Sequence, residues 1–353
     1  MREIHVKRGD IRDARIVERA EAPLAEGAAR LKIDLFGLSS NNITYAAMGD
    51  GQLGYWDFFP APEGLGRPPV WGFGTVTESR AAGVAAGARY YGYFPLGEFL
   101  DVVPARANER GFSDGAAHRA AKAPIYNQYT ANGADAAYDA KYEAEQVLLR
   151  PVYGSGWWLG DYVHQGSPKT VISSSASSKS ALAMADLLKR RGGQTHIGLT
   201  SAANADYVRE SGLYDRIVTY DELASLKADA PATYVDFMGS AQTRNAAARA
   251  LGPVLTRSVL FGATDWQAAG AAAGRENIGP TPEFFFTPTY AMQRMQADPS
   301  LGEQSARDMR AFYESSRRLI TPRRVTGAEA ILDAWRTLAS GKTPPRDGIV
   351  CSF

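Results

Sequence analysis

From Lys169 onward the chain alternates between two hydrophobic periods. Short apolar runs at Thr170–Ser174, Thr195–Thr200, Arg216–Thr219, Thr233–Phe237 and Ser258–Gly262 predict strands. Between them lie segments with helical spacing: Ser178–Arg191, a stretch near Ala203–Ser211 and another near Gln242–Leu251. The first of these helices is the best defined. Ala181, Leu182, Ala185 and Leu188 share one face, Lys189, Arg190 and Arg191 crowd the C-terminal end, and Gly192-Gly193 stops it. Strands that alternate with helices in this way call for a parallel sheet covered on both faces.

The N-terminal part has a different rhythm. The first thirty or so residues read as short extended pieces, and Arg30–Phe36 alternates apolar and polar positions as a half-buried strand does. Val70–Thr77, Gly87–Tyr93 and Leu96–Val103 add further strands without long helices between them, which predicts a β-rich, partly closed barrel. Between Arg30–Phe36 and Val70–Thr77, Gly37–Gly64 reads as a turn-rich loop carrying Tyr45, Tyr55, Trp56, Phe58 and Phe59, either a packed surface loop or a pocket wall. Gly111–Val147 is alanine-rich and polar, with Tyr126, Tyr129, Tyr138 and Tyr142, and is expected to form helical segments and loops inserted before the second domain. Toward the C-terminus, Pro282–Tyr290 with its three phenylalanines predicts a strand, and a polar helix follows near Ser305–Ser316. Thr326 and Glu329 fit a capping box for a last helix with Ile331, Leu332, Trp335 and Leu338 as its buried stripe, before a short strand at Gly348–Cys351. The expected division is a β-rich domain at 1–148 with 320–353, and an α/β domain at 149–319.

Composition narrows the class. At 353 residues, with 45% apolar and 22% charged residues, the chain is a globular protein with more material than one core serves. The 39 basic and 38 acidic residues give a net charge of +1, no field to draw nucleic acid or an anionic membrane. The lone cysteine, Cys351, and the scattered His5, His118, His164 and His196 argue against a disulfide scaffold and against a metal site. No stretch is long and apolar enough to span a bilayer and the N-terminus lacks a leader pattern, so a cytoplasmic protein is expected.

The chemistry concentrates at the turn after the strand Thr170–Ser174. Where a dinucleotide-binding unit carries glycines, this chain has Ser173, Ser174, Ser175, Ser177, Ser178 and Ser180, with Lys179 among them. Hydroxyls, a lysine and helix N–H groups together suit a phosphate. Two other readings stay open: simple N-capping by serine, and a P-loop with serine in place of glycine, since Ser173, Ser178, Lys179 and Ser180 keep its spacing.

The order of parts resembles the medium-chain dehydrogenase/reductase superfamily, nearest its zinc-free quinone and enoyl reductases. The resemblance is carried by LKIDLFGLSSNNITYAAMGD, GARYYGYFPLGEFLDVVPARA, VDFMGS, RSVLFGAT and TGAEAILDAWRTLASGKTPPRDGIV, which together run nearly the full length. It implies a Rossmann-type cofactor domain and a GroES-like domain. Ser39 stands where zinc-dependent members place a cysteine ligand, so catalytic zinc is not expected. Ser175, Ser178 and Ala181 stand at the fingerprint glycines, and Ser177, Lys179 and Ser180 join them around a pyrophosphate. No acidic residue stands at the strand end His196–Ser201, and Ser201, Asn204 and Arg209 could serve a 2′-phosphate, so NADP(H) is the expected cofactor. By the same resemblance Tyr45 is the proton donor and Asn42 an orienting or carbonyl-binding amide, while Tyr153, Ser155, Gly262, Ala263 and Thr264 line the nicotinamide. Tyr55, Trp56, Phe285 and Phe286 would wall a pocket for an apolar or aromatic small molecule. The expectation is a zinc-independent NADPH-dependent reductase of an activated alkene, quinone or related carbonyl compound, acting as a homodimer. A lyase or isomerase on the same fold, and an inactive binding protein, are the alternatives.

Overall fold

The computed structural model describes residues 1–50, 54–261, 277–341 and 343–353. The chain divides into two compact units, Met1–Leu148 with Ile320–Phe353, and Leu149–Leu319.

The first unit is built on strands β1 (Arg2–Lys7), β2 (Asp10–Glu18), β3 (Ala29–Leu38), β4 (Leu65–Gly66), β5 (Pro69–Ser79), β6 (Arg89–Pro95), β7 (Phe99–Val102), β8 (Pro104–Asn108), β9 (Gly111–Asp114) and β10 (Gln128–Ala131). After the second unit the chain returns to it with β17 (Thr321–Thr326), the helix Ala328–Ala339 and β18 (Asp347–Ser352). The larger sheet runs β17-β18-β3-β5-β6-β10-β9-β8 with β7 also on β3, and a smaller one runs β2-β1-β4. β3 is buried along most of its length because it lies inside the larger sheet, between β5 and β18.

Three expectations for this unit are corrected. Gly111–Val147 is not an insertion of helices and loops alone: β9 and β10 pair with each other and extend the main sheet through β6. The aromatic loop after β3 contains a helix, α1 (Ser40–Ala47), capped by Ser39 and Asn42. The last helix has Gly327 at its N-cap with no side-chain cap bond, so Thr326 and Glu329 form no capping box; Thr326 instead ends β17 and its hydroxyl meets that of Ser352 at 3.3 Å. The apolar stripe of that helix is buried as expected at Ile331, Trp335 and Leu338, and the Trp335 indole donates to the Ile11 carbonyl at 2.8 Å.

The helix α2 (Glu143–Gln165) carries the chain into the second unit. There the strands are β11 (Thr170–Ser173), β12 (Thr195–Thr200), β13 (Arg216–Thr219), β14 (Ala232–Asp236), β15 (Leu255–Leu260) and β16 (Glu283–Phe284), with helices α3 (Lys179–Arg191), α4 (Ala205–Ser211) and α5 (Ala241–Leu251). Every pairing is parallel and the order is β13-β12-β11-β14-β15-β16. The run of phenylalanines contributes only the two-residue β16, because a helix, Thr287–Ala297, starts directly after Phe286. One face of this sheet packs Ile172, Ile197, Leu199 and Tyr234 against Ala247, Ala248 and Leu251 of α5.

α2 lies against α3 at a distance that needs glycine. A Cβ on Gly156 would fall 2.5 Å from the Ser180 carbonyl oxygen and 2.7 Å from the Ala183 Cβ. A hub then holds the far end of α3. The fully buried Asp161 carboxylate of α2 accepts hydrogen bonds from Arg191 (2.7 Å), Tyr290 (2.6 Å) and Arg294 (2.9 Å), which hold its carboxyl below the usual range against the opposing effect of burial.

Candidate functional site

Strand order reverses between β11 and β14, since the chain builds outward through β12 and β13 and then returns to start again at β14. In open parallel sheets such a reversal leaves a crevice at the carboxyl ends of the two central strands. The serine-rich turn follows β11 at that point.

Its serines do different work. Ser173 is fully buried, and its hydroxyl shares a 2.7 Å hydrogen bond with His196 Nε2. Ser174, also buried, donates to Asp236 Oδ1 at 3.0 Å and accepts from the backbone N–H groups of Phe237 (2.9 Å) and Met238 (3.1 Å). Asp236 takes further bonds from Gly239 N–H at 2.9 Å and Arg244 at 3.0 Å; burial nonetheless pushes its carboxyl up. The ends of β11 and β14 are thereby stitched together beneath the crevice. Ser175 then adopts φ 46°, the left-handed region that glycine enters most readily. Its N–H donates to the Tyr220 hydroxyl at 2.8 Å, and Tyr220 donates in turn to the Leu199 carbonyl at 3.4 Å.

Beyond Ser175 the side chains are half-buried: Ser177, Ser178, Lys179 and Ser180. Ser178 caps α3, its hydroxyl accepting from Ala181 N–H at 3.3 Å. Ser177 accepts from Asn204 Nδ2 at 3.3 Å, which ties the turn to the loop after β12 where Ser201 also lies. The first turn of α3 has no acidic residue of its own, which suits its positive end to an anion. The turn therefore fits a phosphate group. Arg209 is committed elsewhere, paired with Asp206 of its own helix.

In the first unit Tyr45 of α1 is buried, and its hydroxyl oxygen accepts from Asn41 Nδ2 at 2.8 Å and Trp71 Nε1 at 3.0 Å. Burial pushes its phenol up, and the Tyr55 hydroxyl pushes the same way, while the two donors oppose them. The ring packs with Tyr55 at 4.7 Å and edge-on to Tyr93 at 5.5 Å.

The remaining expected site residues divide. Asn42 is the cap of α1: its Oδ1 accepts from Ser39 N–H at 2.7 Å and its Nδ2 donates to the Pro69 carbonyl at 2.9 Å, so the amide that orients Tyr45 is that of Asn41. Trp56 is a buried core residue whose indole lies on Gly49 and Gly66, where a Cβ would come within 2.1 and 2.5 Å of it. Tyr153 is fully buried against Phe312, with its hydroxyl donating to Asp186 Oδ2 at 2.8 Å, which makes it part of the packing between helices. Ser155 bonds back to the Pro151 carbonyl within α2 at 3.4 Å. Phe285 is buried against Tyr162 and Tyr290, and Phe286 is half-buried at the start of the following helix. Gly262, Ala263 and Thr264 lie outside the described residues.

A family model described as "Protein of unknown function (DUF2855)" matches residues 36–344. The chain belongs to that family. No curated protein matches the sequence. Solved structures similar to this DUF2855 chain include CurA from Vibrio vulnificus in complex with NADPH, with a TM-score of 0.65 at 13% identity over 100% of this chain and 99% of that one. Another is the yhdH oxidoreductase from Salmonella enterica in complex with NADP, with a TM-score of 0.57 at 14% identity over 100% of both chains. A third is mycobacterial Rv1454c complexed with NADPH, with a TM-score of 0.57 at 16% identity over 99% of both chains. At these identities the likeness is one of fold: a Rossmann-type parallel sheet with a GroES-like β-rich unit.

In this DUF2855 member the residues that sequence reasoning missed are Asn41, Tyr93, Tyr220 and Asp236. Asn41 and Tyr45 stand at i and i+4, a signal that becomes visible once the loop is read as a helix. Asp236 closes an otherwise apolar strand, and a carboxylate there demands partners. Among the described residues no group of three or more His, Cys, Asp and Glu side chains is placed to hold a metal ion, and no helix is long and apolar enough to cross a membrane.

Proposed function

We propose that the protein is a zinc-independent, NADPH-dependent reductase of an activated alkene, quinone or related carbonyl compound. The observation that carries this reading is the reversal of strand order between β11 and β14, with the serine turn opening α3 at that point. The NADPH and NADP bound by CurA, Rv1454c and yhdH, proteins of the same fold, support it. Ser175, Ser177, Ser178, Lys179 and Ser180 would hold the pyrophosphate, and Ser201 with Asn204 the 2′-phosphate, at a strand end without a carboxylate in His196–Ser201. When bound, the nicotinamide supplies a hydride.

The first unit supplies the proton. With two donors already on its oxygen, the Tyr45 hydroxyl has only its own proton left to offer, and burial keeps that proton in place through the neutral range. Such a phenol serves as a hydrogen-bond donor to developing negative charge and then as an acid, with Asn41 and Trp71 stabilising the oxygen it leaves. A homodimer in the cytoplasm is part of the same proposal.

Titrating the purified protein with NADPH and NADH, followed by nicotinamide fluorescence, tests it. Tighter binding of NADPH is expected, and absence of binding by both at millimolar concentration would overturn the reading. Lys179→Ala should weaken NADPH about tenfold, ~1.4 kcal/mol; unchanged affinity would show that the turn is not the phosphate site. Binding of ATP with magnesium in place of NADPH would favour the P-loop reading instead.

A further inference from the structure

Tyr93 of β6 is fully buried, yet among the described residues its hydroxyl has no hydrogen-bond partner. A buried hydroxyl without a partner is costly, and native cores rarely tolerate one unless something else binds there. The ring sits in an aromatic group, 4.9 Å from Trp71, 5.0 Å from Tyr126, 5.3 Å from Phe58 and edge-on to Tyr45 at 5.5 Å. The Tyr45, Tyr126 and Tyr55 hydroxyls crowd the Tyr93 phenol, and together with burial they hold it well up, so it too remains a donor. Two protons therefore lack an acceptor among the described residues, one on Tyr45 and one on Tyr93.

The wall also carries a buried cation. The Arg119 guanidinium lies over the rings of Phe58 (5.4 Å) and Phe59 (5.1 Å) and is anchored to Asp114 at 2.6 Å. Three residues packed against the group are only half-buried, Trp71, Leu100 and Tyr126. The Tyr126 hydroxyl makes one 3.2 Å bond, with that of Tyr55, while its backbone carbonyl accepts from Arg119 at 2.9 Å next to the exposed Ile125.

We propose that Tyr93 is a second oxygen-binding residue beside Tyr45, and that the two phenols together receive the oxygen of a planar conjugated carbonyl substrate seated among these rings. This rests on the reductase reading and narrows its substrate class. The planar walls favour a flat, delocalised molecule, and the paired O–H donors favour an oxygen that gains negative charge as the substrate is reduced. Entry displaces Tyr126 from Tyr55, breaking one hydroxyl–hydroxyl bond.

The probe is 4-nitrophenolate, a stable planar oxyanion, titrated without nicotinamide at a pH above its own pKa and followed by calorimetry and by its visible absorbance. Wild type is expected to bind it with a shifted absorbance band. Tyr93→Phe and Tyr45→Phe should each weaken binding about tenfold. Tyr138→Phe, whose hydroxyl donates to Glu143 away from the rings, should change nothing. Tyr93→Phe should also keep or raise the melting temperature, because it removes an unpaired hydroxyl while preserving the ring. Failure of wild type to bind 4-nitrophenolate, unchanged affinity in Tyr93→Phe, or a lowered melting temperature in that variant would each overturn the proposal. Binding of 4-nitrophenolate by a protein that ignores NADPH would sink the reductase reading and leave the two-phenol site standing.

Discussion

Two glycines in α2, two residues apart, should respond in opposite ways to the same substitution. Gly154 has no atom within 4 Å of where a Cβ would stand, so Gly154→Ala only removes backbone freedom and should stabilise by about 1 kcal/mol. Gly156 faces the first turns of α3: a Cβ would lie 2.5 Å from the Ser180 carbonyl oxygen, 2.7 Å from the Ala183 Cβ and 3.0 Å from the Met184 nitrogen, against 3.4 Å or more for ordinary contact. Two of those three neighbours are backbone atoms, which cannot rotate away. Overpacking of this kind costs about 1–3 kcal/mol. The same helical gain offsets part of it, leaving Gly156→Ala destabilised by roughly 0–2 kcal/mol and separated from Gly154→Ala by about 1–3 kcal/mol. For a unit of this size that separation is about 2–12 °C in melting temperature. Urea unfolding and thermal scans of the two variants measure it directly. Because the strain falls on Ser180, Gly156→Ala should also weaken NADPH while Gly154→Ala should not. Equal stabilisation by both substitutions would refute the close approach of α2 to α3.

Other consequences follow from the buried polar groups. Ser174→Ala removes the hydroxyl that joins Asp236 to the N–H groups of Phe237 and Met238, and should destabilise by about 1–3 kcal/mol in urea titration. Asp161→Ala leaves Arg191 and Arg294 without their shared carboxylate and should cost roughly 3–5 kcal/mol by the same measurement. Burial pushes His196 down to about 3 from an ordinary 6.5. Between those values the unfolded chain binds a proton that the folded protein refuses, so stability falls as pH drops, by about 2 kcal/mol at pH 5. His196→Gln should flatten that decline, and an unchanged slope in urea titrations at pH 7 and pH 5 would count against a neutral buried imidazole.

The α/β unit was legible because β11, β12 and β14 are buried along nearly their whole length and read as short apolar runs, while α5 buries only spaced positions; β12 and β13 fall where the pattern puts them. The β-rich unit was harder to read. Gly111–Val147 hides β9 and β10 because each is four residues long and both are followed by turns, too short to show an alternation. α1 was lost among turn-forming residues, although Ser39 and Asn42 are a capping pair by type and spacing. Thr326 and Glu329 erred the other way: they have the spacing of a box, but pairing with β18 holds Thr326 extended as the last residue of β17 and leaves Gly327 at the cap. The same difficulty affects the site. The identity of the amide that bonds Tyr45 depended on recognising a helix, and the packed roles of Trp56 and Tyr153 depend on neighbours far away in sequence.

The serine-rich turn changes most when its residues are taken one at a time. Ser173 and Ser174 look inward and build the sheet, one through His196 and the other through Asp236. Ser175 acts through its backbone, held at φ 46° by the Tyr220 hydroxyl, so a tyrosine from the end of β13 stabilises a turn that glycine would have entered freely. Ser177, Ser178 and Ser180, with Lys179, are half-exposed at the helix N-terminus, as is Ser175 before them. Serine replaces glycine here at the price of fixing the turn: each Cβ restricts its conformations, and each hydroxyl either locks a neighbour or faces outward as a donor. A turn fixed in this way before any ligand arrives loses little freedom on binding. It also has little room to adjust, so cofactor affinity should track the Tyr220 hydroxyl as closely as it tracks Lys179.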